Sequence, residues 1–291
     1  MCVLAHPDDE SLGMGGTLAK YAAEGVETYL VTATKGERGR SGSVEPLTLE
    51  EVGRLRHAEL LAAAKELGVR DVSLLGYCDA DLDRANPGEA IGRIVAQLRR
   101  VNPDVVLTFG PDGAYGHPDH IAISQFTTAA MICAADPAYR HQDYPTPHRV
   151  SKLYYLAWST GKWAAYQAAL KKLTITVDGV ERQAAPWPEW AVTTQIDTSA
   201  YAAQVARAVA CHQSQMAVYR NLSSVSEDHQ RSLWGSQEFY RAFSLVNGGR
   251  QVESDLFEGL RECSSNVEQN LSRNCLVLET SHRGHSGQAP R

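Results

Sequence analysis

Short apolar runs alternate with stretches of helical spacing along the first half of this chain. "MCVLA" opens as an apolar strand, and in "SLGMGGTLAKYAAEG" Leu12, Leu18, Tyr21 and Ala22 recur at helix-like intervals, with Gly25 at the C-cap position. "ETYLVTAT" (27–34) reads as a second strand. The polar loop "KGERGRSGSVEPLT" then leads into the strongest helical pattern, "LEEVGRLRHAELLAAAKELGV", closed by Gly68. A third strand, "DVSLLGY" (71–77), a helix from Glu89 to Val101 and a fourth strand, "PDVVLTFG" (103–110), follow. The fourth is continuously apolar, as a strand buried on both faces should be. A helix from about Asp119 to Ala134 and a fifth strand, "KLYYLAW" (152–158), complete the series.

Such alternation predicts an α/β fold, a doubly wound, mostly parallel, Rossmann-like sheet with right-handed crossovers. From residue 159 the rhythm changes. "TITVDGVERQ" reads as a hairpin turning at Asp178-Gly179, "APWPEW" as a loop, "AVTTQID" as a further strand, and "TSAYAAQVARAVACH" as a helix capped by Thr198 or Ser199. The expectation is one catalytic domain over 1–250. Its sheet core is 1–158, and 159–250 forms a C-terminal α+β lobe on the same sheet that shapes the mouth of a pocket. Residues 251–291 lack sustained periodicity and are rich in Ser, Asn and Gly towards the end, which predicts a poorly ordered tail.

Composition narrows the function classes. The chain is 43% hydrophobic and 21% charged with a net charge of −6, and it has no Lys/Arg run, so it carries no electrostatic footprint for nucleic acid or an anionic membrane. No stretch approaches the roughly 20 apolar residues of a spanning helix, so no membrane insertion is expected. Without a basic segment followed by an apolar one at the start, a cytoplasmic location is expected. Six cysteines without a C-x-x-C pair read as reduced thiols rather than a disulfide framework. A homo-oligomer is neither implied nor excluded.

Two related motifs carry the chemistry. "AHPDDE" (5–10) follows the first strand and "GHPDH" (116–120) the fourth, so both fall at carboxyl ends of strands, where ligands gather in such sheets. His6 and Asp9 are three apart at a strand-to-helix transition, and His120 can join them from across the crevice. Three His/Asp ligands with one open position suit a catalytic zinc, and iron(II) takes the same ligands. A zinc-bound water has a pKa near 7, so Asp8 beside it can act as general base and deliver hydroxide to a carbonyl. His117, if protonated, can stabilise the oxyanion or pass a proton to a leaving amine, and Asp119 can hold His117 in orientation. That set describes a metal-assisted amide hydrolase. "GMGG" (13–16) does not extend to a dinucleotide fingerprint, because Leu18 stands where the third glycine belongs. Glu10 reads as a helix-capping carboxylate favoured by the helix dipole.

"AHPDDE", then Arg56-x-x-Glu59-Leu60, then "GPDGAYGHPDHIA", in that order over residues 1–158, together resemble the LmbE-like (PIG-L) family of zinc-dependent N-acetylglucosaminyl deacetylases. The resemblance implies His6, Asp9 and His120 as zinc ligands, Asp8 as general base, and His117 as electrophile or acid supported by Asp119. It implies Tyr115 as a mobile tyrosine that polarises the substrate carbonyl, and Arg56 and Asp79 as sugar contacts. "CHQSQM" (211–216) is similar to a His-x-Ser-Gln stretch of the family, and His212 reads as a structural residue or one that supports the site from behind the ligands, rather than as a ligand. The expected activity is removal of the N-acetyl group from an N-acetylglucosamine-containing small molecule. Cleavage of a bulkier sugar conjugate or longer acyl chain is the alternative, and a non-catalytic sugar-binding protein ranks last.

Overall fold

The computed structural model describes residues 1–261 except 171–173, 184, 218–221, 223–225 and 250. Its core is a seven-stranded sheet in the order β3-β2-β1-β4-β5-β9-β8. The strands are β1 (Cys2–Leu4), β2 (Tyr29–Thr34), β3 (Asp71–Tyr77), β4 (Val105–Phe109), β5 (Lys152–Leu156), β8 (Thr194–Asp197) and β9 (Ser236–Ser244). β1 to β5 are parallel, whereas β9 and β8 continue the sheet antiparallel. The chain winds outward from β1 through β2 to β3, then returns to lay β4 on the other side of β1. The gap between β1 and β4 is therefore the switch point, where a crevice opens beyond the strand ends.

The helices α1 (Asp9–Ala23), α2 (Leu49–Glu66), α3 (Pro87–Val101), α4 (Gly113–Gly116) and α5 (Pro118–Ala135) connect the parallel strands. Local chemistry sets their ends. Thr48 and Glu51 form a reciprocal capping box on α2. Asn86 caps α3, whose first residue is Pro87, and Asn102 closes it in the left-handed conformation. Cys2, Val3 and Leu4 of β1 are fully buried, and every residue of β4 is buried, because helices cover both faces.

Beyond β5 the elements are α6 (Thr160–Leu170), the hairpin β6 (Thr174–Val177) and β7 (Val180–Gln183), α7 (Ala202–Cys211) and α8 (Glu227–Trp234). Asp178 and Gly179 turn the hairpin with φ of 52° and 77°, as a two-residue hairpin turn requires. Beyond β5, three of these elements have no counterpart in the sequence reading: α6, α8 and β9. In α6, "TGKWAAYQAAL" is apolar nearly all round and shows no stripe. In β9, the polar Gln237 and Glu238 sit at buried positions, which erases the strand alternation. They are buried because they bond backbone: Gln237 pairs with Thr17 N and Gly13 O, and Glu238 accepts from Ser159 N.

The expectation of a loose tail from residue 251 needs correction. Glu253 and Leu256 are each 1% exposed. The Glu253 carboxylate takes Lys152 Nζ at 2.7 Å, Arg241 Nη1 at 2.8 Å, Tyr154 Oη at 2.8 Å and Thr194 Oγ1 at 2.8 Å. A buried lysine and arginine on the sheet demand a carboxylate, and 253 supplies it. The remainder of the tail, 262–291, lies outside the described residues.

Candidate metal centre and active site

Strand β1 ends at Leu4 and α1 begins at Asp9, so the first motif occupies the tight passage between them. Asp8 sits there with φ 107° and ψ −27°, a conformation a non-glycine residue rarely adopts. Asp9 Oδ2 accepts from the backbone N–H of Ala5 at 3.2 Å and of His6 at 2.8 Å, which folds the carboxylate back toward His6. Across the switch point, β4 leads through the turn α4, with Ala114 at φ 63°, into α5 carrying the second motif. His120 stacks on Phe109 at the end of β4, ring centroids 3.9 Å apart.

Three of the expected residues converge. His6 Nδ1 lies 3.1 Å from His120 Nε2 and 3.7 Å from an Asp9 oxygen, and His120 Nε2 lies 3.4 Å from the other Asp9 oxygen. Metal–ligand bonds of about 2.0–2.1 Å in a tetrahedron place ligand atoms about 3.3 Å apart, so the observed edges match. The opposite nitrogens are taken. His6 Nε2 donates to Asp119 Oδ2 at 3.1 Å, and His120 Nδ1 donates to the Gly113 carbonyl at 3.3 Å. Those bonds turn the lone pairs of His6 Nδ1 and His120 Nε2 toward Asp9, which is the donor set of a divalent cation with oriented imidazoles.

The electrostatics agree. Burial alone would lower the His6 pKa, but hydrogen bonds to Asp119 and Asp79 and the charge of Asp9 outweigh it and hold it up at about 10. Burial would raise Asp9, yet His120 and His6 hold it well below the usual carboxylate range. The site favours positive charge at its centre, which is what a cation supplies. His6, His117 and Asp119 also lie close together. Asp119, however, is fully buried and spends its oxygens on His6, Ala80 N at 2.8 Å and Leu82 N at 3.2 Å, as a hydrogen-bonded anchor does.

Two partnerships expected from the sequence therefore change. The Asp119 carboxylate orients His6 rather than His117; only its backbone N–H reaches His117, donating to Nδ1 at 3.2 Å. Asp79 lines the cavity but turns Oδ1 to His6 Nε2 at 3.2 Å and Oδ2 to Arg38 N at 3.1 Å, so its side chain is committed to protein. Sequence separation hid both, because the β3–α3 loop approaches α5 only in three dimensions.

His117 accepts at Nδ1, so its neutral ring carries the proton on Nε2. Burial first, then the neighbouring His120 and His6, push its pKa down to about 3. It is thus a neutral hydrogen-bond donor near pH 7, not a cation. Burial and the Asp9, Asp8 and Asp79 charges raise the Tyr115 phenol, which keeps its O–H. Its ring stands edge-on to His117 and His120, at centroid distances of 5.9 and 5.3 Å. Arg56 is buried and bonds Asp8 Oδ2 at 2.9 Å, the Pro7 carbonyl at 2.6 Å and the Gly36 carbonyl at 2.6 Å. The expected sugar contact thus rests against Asp8, the expected base.

All of these except Asp119 line one cavity of about 430 Å³. Sequence reasoning missed part of its wall: Leu12, Leu156, Trp158, Tyr166, Thr174 and Gln215. Trp158 and Tyr166 stack at 4.5 Å and form an aromatic flank, to which the undetected α6 contributes Tyr166.

Comparison with known proteins places the chain among relatives of stated activity. The family profile PIG-L, described as GlcNAc-PI de-N-acetylase, matches residues 1–131. A 1D-myo-inositol 2-acetamido-2-deoxy-alpha-D-glucopyranoside deacetylase of Streptomyces avermitilis is 36% identical, over 89% of this chain and 96% of its own. Among solved structures, the N,N'-diacetylchitobiose deacetylase of Pyrococcus horikoshii superposes with a TM-score of 0.62 at 21% identity, covering 82% of each chain. The 4-carboxy-2-hydroxymuconate hydratase of Pseudomonas putida does so with a TM-score of 0.62 at 21% identity, covering 85% of this chain and 98% of its own. The fold therefore serves more than one reaction, and activity has to be argued from the site.

Proposed function

The chain belongs to the PIG-L (LmbE-like) family, and from that premise we propose that it hydrolyses the acetamide of an N-acetylglucosamine-bearing small molecule to acetate and a free amine. The substrate named for the Streptomyces avermitilis relative, an N-acetylglucosaminide of myo-inositol, is the first candidate. One observation carries the reading: His6 Nδ1, His120 Nε2 and Asp9 converge at metal-ligand spacing in a cavity that Asp8, His117 and Tyr115 also line.

His6, Asp9 and His120 would hold zinc or another divalent cation. Such an ion supplies Lewis acidity, polarising a carbonyl and making a water acidic near pH 7. Asp8 takes the proton from the attacking water and returns it to the departing nitrogen. Its carboxylate borders the cavity beside Arg56, at 2.9 Å, whereas those of Asp9 and Asp79 are turned to imidazole and backbone. The Nε2–H of His117 and the phenol of Tyr115 donate to the oxygen as it becomes an oxyanion, and neutral donors of this kind need no proton exchange with solvent. Trp158 and Tyr166 offer a flat apolar flank for a sugar ring.

The test is amine release from the myo-inositol N-acetylglucosaminide, alongside N-acetylglucosamine and longer N-acyl analogues, with metal content measured on the same sample. Stoichiometric amine and acetate, abolished by a chelator and restored by one equivalent of zinc, is expected. Metal-loaded protein that releases amine from none of the panel would end the proposal.

A further inference from the structure

Two fully buried side chains that the chemistry above leaves unused lie directly behind Asp8. Glu10 Oε2 accepts the Asp8 backbone N–H at 2.9 Å, and that amide belongs to the residue held at φ 107°. Glu10 Oε1 receives the Ser11 hydroxyl at 2.6 Å and lies 2.8 Å from His212 Nε2. Glu10 and His212 are each 0% exposed, and His212 comes from the end of α7, 202 residues further along the chain. A carboxylate only accepts, so His212 Nε2 donates to it. His212 Nδ1 has no hydrogen-bond partner among the described residues. Apart from a 3.4 Å approach of Nε2 to the Ser11 hydroxyl, the polar capacity of this imidazole goes to Glu10.

A buried, half-satisfied imidazole is a destabilising feature, and so is a non-glycine residue at positive φ. Here the two are joined by one carboxylate. We propose that Glu10 and His212 are a positioning pair for Asp8. His212 fixes the rotamer of Glu10, Glu10 Oε2 captures the Asp8 amide, and the captured turn aims the Asp8 carboxylate into the cavity. Neither residue lines that cavity. Both act through Asp8, and a plain helix-capping role for Glu10 would need no histidine. The meaning for catalysis rests on the deacetylase reading; the meaning for backbone geometry does not.

The experiment compares the metal-loaded wild type with His212→Ala, His212→Gln and Glu10→Gln. The amide of Gln reaches about as far as imidazole Nε2 and donates as it does, so His212→Gln should rescue. For His212→Ala the expected result is a fall in kcat of about 10–100-fold, the range that follows loss of a hydrogen bond orienting a site residue, with KM within threefold and bound metal unchanged. Hydrogen exchange at the Asp8 amide should speed up at least tenfold, and His212→Gln should restore most of both. Should His212→Ala fail to fold, Glu10→Gln is read the same way, with a smaller fall in kcat and faster exchange at the same amide. Unchanged Asp8 exchange in the variants overturns the proposal, and so does a loss of activity that tracks loss of metal. The exchange measurement stands even if no substrate in the panel is turned over, so failure of the activity and failure of the positioning pair are told apart.

Discussion

Asp8 is governed by its immediate neighbours. Its carboxylate meets Arg56 at 2.9 Å and faces the cavity, whereas the carboxylates of Asp9, Asp79 and Asp119 each hold imidazole or backbone partners. Asp8→Ala should therefore lower kcat by about 10²–10⁴-fold, the usual contribution of a general base, while one metal ion per chain is retained. Wild-type turnover in this variant would reassign the base. Asp119 works at one remove, through His6. Asp119→Asn weakens the acceptor on His6 Nε2 and should reduce metal affinity by about 10–100-fold, read by competition with a chromophoric chelator. Equal affinity would mean that Asp119 only anchors the loop through Ala80 and Leu82.

Elements bring these residues together only if α1 lies close against its neighbours. Gly16 makes that approach: a Cβ there would meet Thr198 Cβ at 2.7 Å and Oγ1 at 2.8 Å. Thr198 cannot give way easily, since it is fully buried and its hydroxyl bonds the Trp234 carbonyl at 2.6 Å. Gly16→Val should destabilise the protein by about 1–3 kcal/mol through overpacking, measured as a lower urea midpoint at unchanged slope. A midpoint equal to the wild type would show that α1 has room to shift. The glycines of "GMGG" thus serve close packing, which is why they lack the spacing of a phosphate-binding loop.

Across the whole molecule, Glu253 ties the segment after β9 to the sheet. Burial would raise its pKa, but hydrogen bonds from Lys152, Asn247, Tyr154 and Thr194 bring it down to about 2. Its folded value lies below the unfolded value of about 4.3, so the stabilisation is complete above that value and is lost as pH falls through about 2. Glu253→Gln leaves Lys152 and Arg241 without a counter-charge in the interior and should cost about 3–5 kcal/mol. The variant should also lose most of the wild type's drop in stability between pH 4 and pH 2. A full acid sensitivity in the variant would place its origin in other carboxylates.

The sequence by itself determined the parallel half of the fold. "PDVVLTFG" is apolar throughout because β4 is buried on both faces, and Gly25, Gly68 and the Asp178-Gly179 pair mark ends and turns that φ requires locally. It also brought His6, Asp9 and His120 to one crevice, because both motifs follow strands that meet at the switch point. What the tertiary structure decided is which donor faces which acceptor. Asp119 serves His6, Asp79 serves His6 and Arg38, and Glu10 reaches Asp8 and His212, pairings that depend on loop paths between residues up to 202 positions apart. It also decided that Gln237, Glu238 and Glu253 lie inside, since a polar side chain is buried only where a fixed partner waits for it. Apolar patterning records burial against water, a property of each residue alone, whereas hydrogen-bond partnership is a property of pairs that the folded chain assembles.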